Sequence, residues 1–289
     1  IVKYVAGKIV NIDESIGIDK ALEIAEKTIN KADIKTSKGQ AKALFFLADT
    51  QAIKLAQAAI DKIEDKKTLQ EILRENPAID IALFGRMVAD DPSLNEDASC
   101  QVAHAISTHA IQNEFDFFTA IDDLSPEDNA GAGMLGTVEF NSSTLYRYAN
   151  IAVHEFLKQL NNDKILTANA IKLFIEAFSN SLPTGKVNTF ANQTLPQLLL
   201  ITLRSDRPVN LVSAFEKPIK SSDGYLNESI KKLAEELNKV KKFVDEPLLT
   251  MYVSLEGLSM YEKLGEEKTN LRSLLEDFSS ELLSLLEAY

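Results

Sequence analysis

At 289 residues, with 45% hydrophobic and 26% charged residues, the chain has a globular composition and enough material for one large domain or two modest ones. Its net charge of −12 argues against simple electrostatic attraction to nucleic acid, because phosphate binding rests on a basic footprint. The single cysteine, Cys100, excludes an intramolecular disulfide and suits a reducing cytoplasm, no apolar run marks a membrane span, and Ile1–Lys8 is too short and polar for a signal peptide.

Ile1 opens into a stretch that reads as irregular, without an initiator methionine, so an upstream part of the natural protein is expected to precede it. Asp19 to Lys31 has apolar residues at helical spacing. Ser37 can cap a long helix running to about Ile63, and its run Ala43–Ala48 is apolar nearly all round, which predicts burial. A third helix covers about Lys67 to Arg74 and stops before Pro77. Ala78–Phe84 reads as a short strand, and Ala98 to Thr108 as a helix of small residues. Phe115 and Phe117 alternate with polar residues, Asp122–Gly136 is a loop rich in glycine, and Thr137 to Tyr148 is a second strand pattern; together they predict an extended hairpin. Thr167 to Phe178 reads as a helix with Thr167 as its cap. The continuous apolar run Leu198–Leu203 predicts a buried central strand. Asn227 can cap a helix to about Phe243, and Leu271, Leu274, Leu275, Phe278, Leu282 and Leu286 mark a C-terminal amphipathic helix. The class is α+β, helices first and strands mixed in later.

No constellation in the chain carries strong catalytic chemistry. Gly131–Gly136 matches GxGxxG, but a dinucleotide site needs a strand before it and a helix after it, and here an acidic loop precedes and a strand pattern follows. Cys100 and His104 are four apart on the expected helix and could share a face, yet two ligands fall short of a zinc site; packed or hydrogen-bonded residues are the preferred reading for these and for His109. Asp90-Asp91 and Asp122-Asp123 are adjacent pairs whose side chains diverge, so neither is a carboxylate dyad; Asp90 or Asp122 could hold Mg²⁺ in a metal-dependent nuclease, against the preferred reading of a solvated acidic loop. Lys231, Lys232, Lys239, Lys241 and Lys242, with Lys217 and Lys220 upstream, fit a solvated helix face as well as a binding patch. Lys186 and Asn188, on a loop before a strand, suit a phosphate contact.

Several stretches taken in order are more specific. They are Asp80–Met87, Ala103–His109, Phe117–Leu124, Leu135–Phe140 and Leu145–Asn150, with Ala214–Pro218 further on. Their order and spacing resemble the CasC-type backbone subunit of the type I-E CRISPR Cascade complex, strongly over about 78–155 and more weakly to about 235. The resemblance implies a right-hand shape: a modified RNA-recognition-motif (ferredoxin-like) palm, a helical fingers insertion and a β-hairpin thumb. On this chain the fingers region would be 1–100 and the palm 101–289, with the thumb at about 112–142 and the C-terminal helices in the palm. It further implies that copies polymerise along the crRNA and that each thumb displaces every sixth nucleotide. Met87 matches the family's wedge methionine, and Thr119 and Leu135 match thumb positions near the displaced base; a wedge needs apolar side chains rather than lysines, which eases the conflict with the acidic charge. A core methionine remains the alternative for Met87, and an exposed or partner-covered tip residue the alternative for Leu135. The RNA-binding set expected is Arg86, Met87, Thr119, Leu135, Lys186, Asn188 and Lys217, with no catalytic residue, no metal and no cofactor. Partners implied are crRNA, target DNA, further copies of the chain and CasA-, CasB-, CasD- and CasE-type subunits, in the cytoplasm and away from membranes. The family also carries an upstream first palm strand and a basic segment gripping the guide; this chain starts after both, which leaves an open sheet edge. The competing expectations are a metal-dependent ribonuclease using Asp90 or Asp122, and a nucleotide-dependent enzyme using Gly131–Gly136.

Overall fold

The computed structural model describes residues 1–75, 77–89, 91–120, 134–255 and 264–288. Helices α1 (Val2–Ile12) and α2 (Ile18–Lys31) open the chain, followed by strands β1 (Thr36–Ser37) and β2 (Gln40–Ala41) and helices α3 (Asp49–Ile60), α4 (Lys66–Arg74) and α5 (Ile79–Phe84). Strands β3 (Cys100–Val102) and β4 (Ile106–Ser107) lead into the longer β5 (Glu114–Ala120) and β6 (Met134–Phe140), then β7 (Leu145–Tyr146) and β8 (Ala149–Ile151). Helices α6 (Val153–Gln159), α7 (Lys164–Asn180) and α8 (Val187–Phe190) precede strand β9 (Leu198–Leu203). Helix α9 (Leu226–Val240), strands β10 (Leu249–Ser254) and β11 (Glu266–Glu267) and helix α10 (Leu271–Ala288) complete the α+β chain. Two compact units result: Ile1–Val102 with Ala149–Ser181 and Leu275–Tyr289, and Ala103–Tyr148 with Leu182–Leu274. No helix among the described residues is long and apolar enough to cross a membrane.

The first unit is built on a helical core. Val2, Val5, Ala6 and Ile9 form one face of α1, and they cluster with Ala21, Ala25 and Ile29 of α2 and with Ala52, Leu55, Ala56 and Ala59 of α3. The many alanines let the helix axes approach closely, and Leu69 and Leu73 of α4 close the cluster. Asp65 caps α4 by accepting from the Thr68 N–H at 2.9 Å.

Five expectations from the sequence change here. The first residues are helical, not irregular: α1 begins at Val2. The long helix from Ser37 does not form; Ser37 pairs with Gln40 across a two-residue turn in which Lys38 and Gly39 both have positive φ, 52° and 74°. Leu44 and Phe46 in the apolar run are exposed, and the helix starts only at Asp49. Ala78–Phe84 is a helix, not a strand. Its signals were Pro77 ahead of it and Gly85 behind it, where φ is +79° and an added Cβ would meet the Glu96 carbonyl at 2.9 Å. The segment from Ala98 to Thr108 is two short strands, because Cys100–Val102 pairs with Ala149–Ile151 and Ile106–Ser107 with Leu145–Tyr146. Cys100 and His104 therefore share no helix face: Cys100 is buried and His104 exposed.

The helix caps move as well. Asp163 caps α7 by accepting from the Leu166 N–H at 2.8 Å; Thr167 lies inside that turn and donates to the Asp163 carbonyl at 2.7 Å. Helix α9 begins at Leu226 after Tyr225, so Asn227 is internal. In the second unit the three-stranded sheet has the order β11-β10-β9, which makes β9 a half-buried outer strand and puts β10 in the centre. Met251 and Tyr252 of β10 are the buried residues there, with Tyr252 packed among Ile230, Ala234 and Leu264. Where β9 and β10 meet their flanking turns, Asp206 accepts from Arg204 Nε at 2.9 Å and from the Asp245 N–H at 3.1 Å. The Arg204 guanidinium, with backbone N–H groups, holds the Asp206 carboxyl well below the usual carboxylate range.

Arg86 ties the first unit together. It is 4% exposed, and its guanidinium donates to the carbonyls of Leu94 (3.1 Å), Phe46 (3.2 Å) and Leu73 (2.8 Å) and lies over the Phe45 ring. Burial lowers its pKa. Arg86→Ala is expected to destabilise the unit by roughly 3 kcal/mol, since it strands several buried carbonyls at once; urea unfolding followed by far-UV circular dichroism measures this. Burial also pushes the Cys100 thiol up to about 11. Cys100 is therefore expected to resist a disulfide-exchange reagent at pH 8 in the folded chain and to react promptly once the chain is unfolded in urea.

Candidate nucleic-acid interface

Strands β5 and β6 pair antiparallel from Glu114↔Phe140 to Ala120↔Met134. Alternation sends Phe115, Phe117 and Thr119 to one face, with Glu139, Thr137 and Leu135 opposite them, and Asp116 and Phe118 to the other, opposite Val138 and Gly136. Every residue of β5 is exposed, Phe117 at 66%, and Leu135 is 62% exposed. An isolated two-stranded ribbon is marginal in water, and a ribbon with apolar groups on both faces is a surface waiting for a partner. Within it, the Phe118 ring lies against Gly136; a Cβ at 136 would come within 2.5 Å of that ring, so the glycine is the seat for the aromatic.

The base of the ribbon is firmly built. Thr108 N–H donates to the Thr144 carbonyl at 2.9 Å, and Ile219 N–H donates to the Thr108 carbonyl at 2.9 Å. Tyr146 donates to Asn210 Oδ1 at 3.0 Å, accepts from the Leu211 N–H at 3.1 Å and packs on Phe215; burial pushes its phenol up to about 12. Phe140, the last residue of β6, packs on Phe190 of α8 with ring centroids 5.4 Å apart.

These contacts place the sequence-derived site residues. Thr119 and Leu135 are direct cross-strand partners. Lys186 and Asn188 are exposed on the turn of α8, whose Phe190 reaches the ribbon base, and Lys186 adopts left-handed backbone at φ 58°. Lys217 is exposed two residues before Ile219, the residue bridged to His109. Neither Lys186 nor Lys217 has an ion pair among the described residues, whereas Lys231, Lys232 and Lys239 pair with Glu228, Glu235 and Glu236 of their own helix. The α9 lysines are a solvated face.

Arg86 and Met87 lie in the first unit. Arg86 exchanges both backbone hydrogen bonds with Glu96 at 2.9 Å, and Val88 N–H donates to Asn95 Oδ1 at 2.6 Å. With Arg86 and Val88 anchored inward, the pleat turns Met87 outward to 79% exposure, so it is not a core methionine. The Arg86 donors are engaged by carbonyls inside the unit, and what that residue does for a surface is to hold its neighbour out. Sequence reasoning had no signal for this, because only the tertiary fold shows that Leu73, Leu94 and Phe46 converge on it. A strand follows Gly136 where a dinucleotide site needs a helix, and no group of three metal-ligating side chains occurs among the described residues. Asp90, Asp122, Asp123 and Gly131–Gly133 lie outside the described residues.

An α+β chain of two units, one carrying an exposed apolar ribbon and the other an outward methionine, is the class of protein these features define. The chain belongs to the CT1975-like protein family, whose model matches residues 1–280. It is similar to a chain of a structure described as a CRISPR RNA-guided surveillance complex, pre-nicking, with 26% identity and a TM-score of 0.83 over 96% of this chain and 83% of that one. It is also similar to a chain of a CRISPR RNA-guided surveillance complex at 32% identity and a TM-score of 0.65, over 70% of this chain and 78% of that one. No curated protein matches it.

Gly136→Val is expected to evict the Phe118 ring and loosen the ribbon. Hydrogen exchange at the amides of β5 and β6 should quicken by about tenfold, with no change in α1–α4.

Proposed function

We propose that the chain is a guide-RNA-binding backbone subunit of a CRISPR interference complex of Cascade type, close to the CasC-type subunit of type I-E, and that it has a scaffolding rather than a catalytic role. The observation that carries this reading is the ribbon of β5 and β6, exposed on both faces, with Thr119 and Leu135 paired on it. Similarity to chains of RNA-guided surveillance complexes supports the same reading. In it, a modified RNA-recognition-motif palm, helical fingers and the ribbon as thumb grip the crRNA. Leu135 and Met87 act as apolar wedges that unstack a base, and one nucleotide in six is displaced. Lys186, Asn188 and Lys217 make backbone contacts that set register without reading sequence. Base pairing with target DNA supplies the specificity, and CasA-, CasB-, CasD- and CasE-type subunits and further copies of the chain complete the assembly in the cytoplasm.

Assembly on a synthetic guide RNA tests this, followed by mobility shift and by size exclusion with light scattering. The double variant Met87→Ala, Leu135→Ala is expected to weaken assembly about tenfold, roughly 1.4 kcal/mol, with unchanged melting because both side chains are exposed. Lys186→Ala and Lys217→Ala should instead flatten the salt dependence by about one unit of slope each. No assembly at low salt would refute the scaffold reading. Cleavage of the RNA in Mg²⁺, abolished by Asp90→Ala or Asp122→Ala, would replace it with a ribonuclease.

A further inference from the structure

The imidazole of His109 sits at the root of the ribbon and is 9% exposed. Both ring nitrogens are engaged, and by opposite kinds of partner. Nδ1 lies 2.8 Å from the Ala110 carbonyl, which can only accept. Nε2 lies 3.1 Å from the Thr144 backbone nitrogen, which can only donate. One arrangement of protons satisfies both: a neutral ring with hydrogen on Nδ1 and a lone pair on Nε2. The ring also stacks on Tyr225, at the start of α9, with centroids 3.8 Å apart and planes 11° from parallel.

The positions of these partners give the ring its meaning. Ala110 and His109 precede β5 and Thr144 follows β6, so Nε2 joins the two legs of the ribbon below its last cross-strand pair, Glu114↔Phe140. Tyr225 and Ile219 belong to the body of the same unit, and Ile219 is bridged to His109 itself. Ser107 Oγ donates to the His109 carbonyl at 2.7 Å, and Ser229 Oγ lies 2.8 Å from Thr108 Oγ1. One side chain therefore touches both legs and the body that carries them.

We propose that His109 is a positioning residue, a neutral Nδ1–H pin that fixes the direction in which the β5–β6 ribbon leaves its unit. Two strands as exposed as these will swing about their root unless the root is held. Pinning reduces the conformational freedom that would otherwise be lost when the ribbon closes on its ligand. The consequence for RNA rests on the function proposed above; the pin itself does not.

The intact chain tests it in three ways. Nitrogen-15 spectra of the His109 ring should show the Nδ1–H tautomer, the minor form of free histidine; an Nε2–H or doubly protonated ring would overturn the proposal. Hydrogen exchange at the Thr144 amide should be at least about tenfold faster in His109→Ala than in the natural chain and partly restored in His109→Gln, whose amide oxygen can accept from Thr144. Equal exchange in all three would also overturn it. Spin labels at Thr119→Cys and Lys239→Cys, both exposed and in one unit, should give a narrow distance distribution that broadens in His109→Ala while β9 and β10 keep their protection. An unbroadened distribution would refute it. Guide-RNA assembly by the same variants then separates the two claims. Failure of the natural chain to assemble rejects the RNA reading, whereas the tautomer, exchange and distance measurements decide the pin in the absence of RNA.

Discussion

A cation buried among carbonyls is the constraint on which the first unit rests. Among the described residues Arg86 hydrogen-bonds to no carboxylate; its partners are the main-chain oxygens of Leu94, Phe46 and Leu73 and, at 3.4 Å, Gln51 Oε1. Each of those oxygens ends or crosses a segment with no regular neighbour to satisfy it: Leu73 is in the last turn of α4, Phe46 is in the irregular stretch before α3, and Leu94 ends a short 3-10 turn. A planar five-donor group can reach all of them at once, and a lysine cannot. Gln51 supports the same knot by donating to the carbonyls of Leu73 at 2.8 Å and Glu75 at 3.1 Å. The desolvation that lowers the Arg86 pKa is thus offset by closing three chain ends with one side chain, and the exposure of Met87 follows from it.

The second unit solves a different problem. Its ribbon is exposed along β5 and only partly covered along β6, so much of its geometry must come from the root. There the chain concentrates specific polar contacts, with Tyr146 and His109 each using both a donor and an acceptor function and each set against an aromatic neighbour. Apolar packing alone would leave the direction of the strands loose, because it is indifferent to small rotations, whereas paired hydrogen bonds of opposite sense are not.

How far the sequence revealed this depended on how local each signal was. The first strand of the ribbon was legible because its alternation of Phe115 and Phe117 with acidic residues is a strand pattern that no helix would share; of the loop expected over Asp122–Gly136, residues 122–133 lie outside the described residues and Met134–Gly136 already belong to β6. Helices α2 and α4 were legible for the same reason at the other period. The α5 segment was misread because an apolar run of that length fits either period, and the flanking Pro77 and Gly85 should have decided it. Strands β3 and β4 were misread because their partners lie far along the chain, Ile151 for Cys100 and Tyr146 for Ile106, and pairing of that range overrides the helical preference of small residues. Arg86 was expected in the RNA-binding set with Met87, yet it is buried. Its burial is decided by Leu73, Leu94 and Phe46, none of which marks itself in the sequence.

The acidic balance of the chain and an RNA-facing role are compatible once the charges are placed rather than summed. Among the described residues many of the lysines answer a carboxylate close by: Lys8 with Asp49, Lys54 with Glu75, Lys66 with Asp33, Lys172 with Glu276, and Lys231, Lys232 and Lys239 with glutamates a turn away. Such pairs contribute little stability at the surface and leave little net field to draw in a polyanion. Lys186 and Lys217 have no ion pair among the described residues, and both lie beside the root of the ribbon through Phe190 and Ile219. The ribbon itself carries Glu114, Asp116 and Glu139, which would repel a phosphate backbone lying along its length. On the RNA-scaffold reading proposed above, a strand would be drawn to the root and met beyond it by the phenylalanines and Leu135 of the ribbon, so that stacking and shape, more than charge, would decide how it is held.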